Sequence, residues 1–316
     1  MSSAELIPRF KSVIWRIVLI MSGAIKMCAG ELDTEKPKIL PHFFSSNSRP
    51  IYALFCSPIA DSVNPSVLVA CHSFGPEHAV ANRVLALGVR CAAIHGYPAM
   101  SYHARGHGDS GGDPSELTFE SLVEDALAAA DHARELSGAS RVVWLGLRIG
   151  GLIAAEAASR CAATAAIALW EPIHRGSDYF RELVRGLMFS AVAQGMKPEG
   201  TVSSVLDRVE REGSAEILAW RLESKFYLSA RDTDLSNSMA KWAGPTLLAQ
   251  IQPRRSFSAQ NASLIAALQG RGANVTSVRI SEEPGWQFPM WRQPWTSSEL
   301  LDETGAWLDA LARNSD

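Results

Sequence analysis

The sequence predicts an α/β fold: a mostly parallel central sheet wrapped by helices on both faces, with a helical cap inserted after the sixth strand. Two observations carry this. Short apolar runs such as Ser66–Cys71, Arg141–Leu145 and Ala165–Trp170 alternate with amphipathic stretches of helical period. Strands and helices alternating in this way form a parallel sheet buried on both faces. After the sixth run the rhythm changes, and His174–Trp242 is charge-rich and helical in character, with no strong strand pattern. An insertion there overlies the strand ends, where ligands bind in open α/β sheets. The expected organisation is an N-terminal extension over 1–36, a core from 37–172 and 244–316, and a cap over 173–243.

Taken in order, a polar linker (Glu31–Lys38) precedes Ile39–Ser45 and Pro50–Cys56, which flank Ser46-Asn47-Ser48 and read as a β-hairpin. Ser66–Cys71 is a buried strand that ends in His72-Ser73-Phe74-Gly75. The helix expected over Glu77–His95 is closed by Gly96 and Pro98. A short strand, Ala99–His103, leads into a glycine-rich loop over 104–113. Leu117–Leu136 is an amphipathic helix with Leu122, Ala126, Ala129 and Ala130 on one face and Glu120, Glu124 and Asp131 elsewhere. Arg141–Leu145 is a strand that Gly146 breaks, and Gly150 and Gly151 open a helix to about Arg160. Ala165–Trp170 is a strand ending in Glu171-Pro172. Beyond the insertion come a strand (Pro245–Pro253), a helix (Ala259–Leu268), a strand (Asn274–Ile280) and a closing helix (Glu299–Ala312).

Composition narrows the function classes. The chain has 316 residues, enough to bury a full core, with 47% hydrophobic residues, 20% charged residues and a net charge of −3. That balance gives no support to nucleic acid as a partner. Five widely spaced cysteines with no C-x-x-C pair read as free thiols in a reducing, cytoplasmic compartment. No Cys/His cluster has ligand spacing, and His103 and His107, four apart on a glycine-broken loop, fix no geometry, so neither a metal nor a cofactor is expected. Near the N-terminus, Ile17–Ile25 is an apolar run of nine residues fenced by Arg16 and Lys26. It falls short of the roughly 20 residues that span a bilayer, and a terminal helix or an upstream extension outside the fold is the expectation, with membrane contact a minor one.

The stretch that carries chemistry is Arg141-Val-Val-Trp-Leu-Gly-Leu-Arg-Ile-Gly-Gly-Leu152. A strand, a tight turn and a helix, with glycines two residues either side of a central residue, have the layout of a nucleophile elbow, G-x-S-x-G. The glycines are expected to let the backbone turn sharply enough to expose the central side chain. Here that residue is Arg148. A guanidinium stays protonated at any working pH and cannot accept an acyl group.

The chain as a whole resembles the α/β-hydrolases over residues from about 37 to 312. His72-Ser73-Phe74-Gly75 sits where the oxyanion-hole loop follows a strand, and Tyr102-His-Ala-Arg-Gly-His-Gly-Asp-Ser110 resembles the D-x-R-G-x-G-x-S signature of the serine aminopeptidase-like branch. The elbow, Tyr97-Pro98-Ala99 and Leu169-Trp-Glu-Pro172 further resemble the bacterial hydrolases associated with the exosortase A system, a group linked to exopolysaccharide production. The resemblance implies a triad in the chain order Ser, Asp or Glu, His. At the corresponding places stand Arg148, a loop over 250–260 with no carboxylate, and a turn over 281–287 with no histidine. The last histidine of the chain is His174.

What this leaves is a binding apparatus. Arg148 at a helix N-terminus, with the Phe74 and Ile149 N–H groups and Ser73 beside it, suits an anion. Alternatively, Arg148 pairs internally with Glu171 or Glu77 and plugs the pocket. Arg105 and Asp109 look catalytic, but such a loop more often organises the backbone. Trp286, Trp291 and Trp295 cluster where the base is expected and read as packing aromatics or a pocket wall. Two functions follow. One is a non-catalytic hydrolase-fold protein that binds an acyl, carboxylate or saccharide-derived small molecule, or a protein partner, at the former active site. The other is a hydrolase of an ester, thioester or amide with a rebuilt site, in which His72 or Glu171 activates water and Arg148 stabilises the oxyanion.

Overall fold

The computed structural model describes residues 36–59, 64–198, 200–217, 220–254, 256–287 and 295–314. The expectations for the N-terminal extension, and for Trp291, lie outside them. β1 (Ile39–Ser46) and β2 (Arg49–Cys56) pair antiparallel, and Asn47 and Ser48 turn between them with φ of 47° and 63°. Both central residues in the left-handed region match the twist of the flanking strands. β3 (Ser66–Cys71) follows, then α1 (Pro76–Ile94) and β4 (Ala99–Tyr102). α2 (Phe119–Ser137) starts at a capping box between Thr118 and Ser121 and ends on the left-handed Gly138. β5 (Arg141–Leu147), α3 (Ile149–Arg160) and β6 (Thr164–Trp170) complete the first part of the core.

The chain then leaves the sheet for α4 (Gly176–Ala193) and α5 (Val202–Glu212), the strands β7 (Ser214–Ile217) and β8 (Trp220–Glu223), and α6 (Ser224–Ala230) and α7 (Leu235–Ser238). The antiparallel β7–β8 ribbon corrects the reading that this stretch holds no strand. Each strand is four residues long, and burial of Ala215 and Leu222 against solvent-facing Glu216 and Arg221 gives too few alternations to stand out in sequence. β9 (Thr246–Ile251), α8 (Ala259–Gly270), β10 (Val275–Ile280) and α9 (Ser298–Arg313) close the fold.

The main sheet has eight strands in the order β1-β2-β4-β3-β5-β6-β9-β10, parallel from β4 onward and antiparallel at β1–β2–β4. Side-chain alternation sends Val67, Val69, Trp144 and Leu169 to the face covered by α2 and α3. Leu68, Ala70, Leu145 and Trp170 go to the opposite face, under α1 and α9. Trp144 and Trp170 are fully buried, so each indole N–H needs a partner: Thr164 Oγ1 at 3.0 Å and Thr304 Oγ1 at 3.2 Å. Among the described residues no helix is long and apolar enough to cross a membrane.

Register positions the site. Cys71 pairs with Gly146, Leu147 with Trp170, and Trp170 with Ala249. The residues after these strands, His72, Arg148, Glu171 and Gln252, therefore emerge along one edge of the sheet.

Candidate functional site

β5 does not break at Gly146, contrary to the sequence reading; it runs to Leu147, and Arg148 alone makes the turn, with φ 57° and ψ −122°. The glycines serve proximity. A Cβ on Gly146 would stand 2.4 Å from the Gly150 carbonyl oxygen, and one on Gly150 would stand 2.2 Å from that of Cys71. They let α3 close onto β3 and β5, and the frame so formed holds Arg148 in a conformation that side chains seldom adopt. The Arg148 N–H bonds the Trp170 carbonyl at 3.0 Å, and the Gly151 N–H bonds the Arg148 carbonyl at 2.9 Å, which fixes the tip. Glu171 at the next strand end also has a positive φ, 40°.

Arg148 is 6% exposed and borders an open cleft of about 760 Å³ between the strand ends and α4. Its Nη2 donates to Glu77 Oε1 at 3.2 Å and to Glu182 Oε2 at 2.5 Å, and its guanidinium lies 5.4 Å from the Trp286 ring centroid. Burial works against the charged form, but Glu77 and Glu182 outweigh it and hold the guanidinium above its ordinary pKa. Glu77, on α1, is buried, and burial raises its carboxyl despite the Arg148 charge. Its Oε2 and the Arg148 Nε have no hydrogen-bond partner.

Of the two expected internal partners, Glu77 is engaged. Glu171 is turned to the loop after β9, where it accepts from the Ile251 N–H and from Gln252 Nε2. Burial lifts its carboxyl above the ordinary range, with those donors and Arg148 opposing. A carboxylate thus lies against the loop that follows β9, although it comes from the end of β6. Gln250 shapes that loop by bonding the Ser258 N–H, the Ser256 carbonyl and Asn261 Nδ2, and His174 Nε2 meets Asn261 Oδ1 at 2.8 Å.

His72, Ser73, Phe74 and Ile149 are not among the residues that line this cleft, whereas Trp286 is. Ile149 is fully buried in the core. His72, Ser73 and Phe74 line a separate cavity of about 30 Å³ with His78, Tyr102 and His107. The Phe74 ring packs on Phe226, His107 and Trp220, and its carbonyl accepts from the Tyr179 hydroxyl at 2.8 Å. His72 stacks near His78 and His103, with centroids 4.8 and 6.4 Å away. Its Nε2 is buried without a partner, and burial followed by the neighbouring imidazoles pushes its pKa well below 6.5. Among the described residues, no three His, Cys, Asp or Glu side chains are placed to hold a metal ion.

Arg105 is a buried clamp: its guanidinium bonds Asp125, Glu124 and Ser46, and its N–H bonds Asp125. This ties the glycine loop to α2. Glu182 is the site residue that sequence reasoning missed, since an acidic residue on an amphipathic helix carries no signal of a partner 34 residues away.

A family model described as serine aminopeptidase, S33, matches residues 65–240. No curated protein matches the chain. Among solved structures, it is similar to Est1E from Butyrivibrio proteoclasticus with ferulic acid bound, at TM-score 0.60 and 14% identity over 86% of this chain and 98% of that one. It is similar to an esterase from Pyrococcus furiosus at TM-score 0.60 and 13% identity, covering 90% and 100% of the two chains. Proline iminopeptidase from Mycobacterium smegmatis aligns at TM-score 0.55 and 12% identity, covering 88% and 100%. At these identities the likeness is one of fold, the α/β-hydrolase fold.

Proposed function

From the premise that the chain belongs to the serine aminopeptidase S33 family, we propose that it is a member without the Ser–Asp/Glu–His triad, whose cleft binds an anionic small molecule at Arg148. The observation that carries this is a single one: the strained tip that presents a nucleophile in this fold presents a guanidinium to an open cleft of about 760 Å³. A guanidinium cannot be acylated but is a strong partner for a carboxylate. Trp286 occupies the turn after β10, where the fold carries its base, and packs on Arg148. One structural neighbour is described with an aromatic acid bound, which supports a carboxylate as the kind of ligand this fold accommodates. The same proposal takes the chain to be similar to the exosortase A system-associated hydrolases, a reading supported by the elbow sequence, Tyr97-Pro98-Ala99 and Leu169-Trp-Glu-Pro172.

One observation favours a second reading, an ester, thioester or amide hydrolase with a rebuilt site. Glu171 combines a positive φ with a carboxyl raised by burial, as a general base often does. Against it, both Glu171 oxygens already accept hydrogen bonds, and His72 lines a different cavity. A panel of p-nitrophenyl esters and thioesters, run beside fluorophosphonate labelling, tests the choice. The expected result is neither turnover above buffer nor labelling; turnover abolished by Glu171→Gln would overturn the binding reading.

A further inference from the structure

We infer that the cleft takes a small monocarboxylate, and that Glu182 occupies that ligand's place on Arg148 until it arrives. The inference rests on the binding reading above and names its ligand class and its control.

Arg148 carries two carboxylates on one nitrogen, and their surroundings differ sharply. The Glu77 side chain is 7% exposed, whereas that of Glu182 is 49% exposed. Withdrawing Glu77 would leave the buried Arg148 charge without its buried counter-ion. Glu182 sits on α4 with about half its side chain in water, so its own charge stays solvated when it leaves Arg148, which that of Glu77 would not. Glu77 is therefore the fixed counter-ion and Glu182 the exchangeable one.

The guanidinium is also under-used. Both bonds run through Nη2, while Nε is buried with its N–H unpartnered. A carboxylate tethered to α4 reaches a single nitrogen. An untethered one, free to choose its angle, bridges Nε and Nη2 in the bidentate geometry that guanidinium favours. Glu182 thus shows the chemistry of the ligand while leaving a better arrangement unmade.

Charge sets the class. Replacing Glu182 by a monoanion leaves the local charge unchanged. A phosphate ester, at about −1.5 to −2, adds charge to a pocket already holding Glu77 and Glu171 close to Arg148. Asp178 and Glu283 line the same cleft and deepen that penalty, and Arg185 and Arg254, which line it too, offset part of it. The lining offered to the rest of the ligand is mixed, with Trp286, Leu183, Leu187 and Pro172 among its apolar part and His174, Gln252, Ser258 and Asn261 among its polar part. The fitting molecule is one carboxylate on a compact body with an apolar face for Trp286 and the leucines.

Benzoate and phenyl phosphate, matched in their ring, are the probes. Their affinities are to be measured by calorimetry on the full chain, on Glu182→Gln, and on Arg148→Met/Glu77→Met, in which the pair is replaced as a unit so that no buried charge is orphaned. NMR of the Arg148 Nε–H in the full chain reports contact directly. Benzoate is expected to bind more tightly than phenyl phosphate, to shift the Nε–H, and to gain about three- to fivefold in Glu182→Gln, the worth of one exposed ion pair. Tighter binding of phenyl phosphate overturns the ligand class. Benzoate binding that needs the Arg148–Glu77 pair but ignores Glu182→Gln overturns the exchange while the binding reading survives. Absence of benzoate binding from the full chain and Glu182→Gln alike removes both.

Discussion

Arg148 holds a backbone conformation that costs an L-residue about 1–3 kcal/mol, and it keeps that conformation while buried beside Glu77. Neither feature serves the core, which is already filled by apolar residues on both faces of the sheet. The pair is strongly coupled, because each charge is the other's main compensation in a poorly solvated place. Breaking it from one side is expected to cost about 3–5 kcal/mol, so Arg148→Met should lower stability in urea titrations by that order. Adding Glu77→Met should return most of the loss, a non-additivity above about 1 kcal/mol. Additive losses would mean that the pair is not a unit. The interaction was partly visible in sequence: Glu77 and Arg148 could be matched as buried opposites, but Glu171 was an equal candidate. Only the register, with Glu171 one strand further and turned to Ile251 and Gln252, separates them.

At the scale of elements, α1 rests on β6 through a contact between its Gly88 and Trp170. A Cβ on Gly88 would stand 2.5 Å from the indole of Trp170, which is fully buried and pinned through Thr304. Gly88→Ala, which favours a helix in isolation by about 1 kcal/mol, is here expected to destabilise by about 1–3 kcal/mol through overpacking. A melting temperature equal to or above that of the parent would show that the ring can move aside. Elements of this length were legible because their periodicity spans several turns or a whole strand: α2 was expected over Leu117–Leu136 and lies over Phe119–Ser137. The β7–β8 ribbon was not legible, since its four-residue strands give period-two alternation no room. The end of β5 was misplaced because Gly146 was read as a breaker. Its role is close approach, which depends on the partner backbone at Gly150 and not on local propensity.

At the scale of the whole molecule, the first turn of α1 and the loops after β3 and β4 gather His72, His78, His103 and His107, with His72 and His78 closest. Burial lowers the pKa of each; for His78 it falls from 6.5 to about 4, with His107 and His103 adding to the effect. Asp109 opposes the shift at His103, and Asp125 opposes it at His107. Imidazoles held below 6.5 by folding bind more protons in the unfolded chain, so stability rises with pH over that window. It is complete above about pH 6.5 and drains as pH falls toward about 4. Glu77 and Glu171, raised by burial, act in the opposite direction, but His132 and His174 are lowered as well, which makes two against six. Melting temperature is therefore expected to drop by several degrees between pH 7.5 and 5.5, and His78→Phe should flatten that slope. A slope that His78→Phe leaves unchanged would place the acid sensitivity elsewhere. Of this cluster only His103 and His107, four apart on one loop, stood together in the sequence; His72 lies on a separate strand end that the β3–β4 pairing brings beside them.

The elbow glycines have a consequence for how such a protein diversifies. The tight contacts belong to Gly146 and Gly150, which meet backbone, and the positive φ at position 148 is imposed by that frame on whatever residue stands there. Position 148 is therefore a socket with a fixed backbone penalty, whose chemistry is set by the side chain's partners such as Glu77 and not by the frame. Exchanging the residue there changes the chemistry at the tip without asking any strand or helix to move, whereas an acid in the loop after β9 and a histidine in the turn after β10 would each take a further exchange.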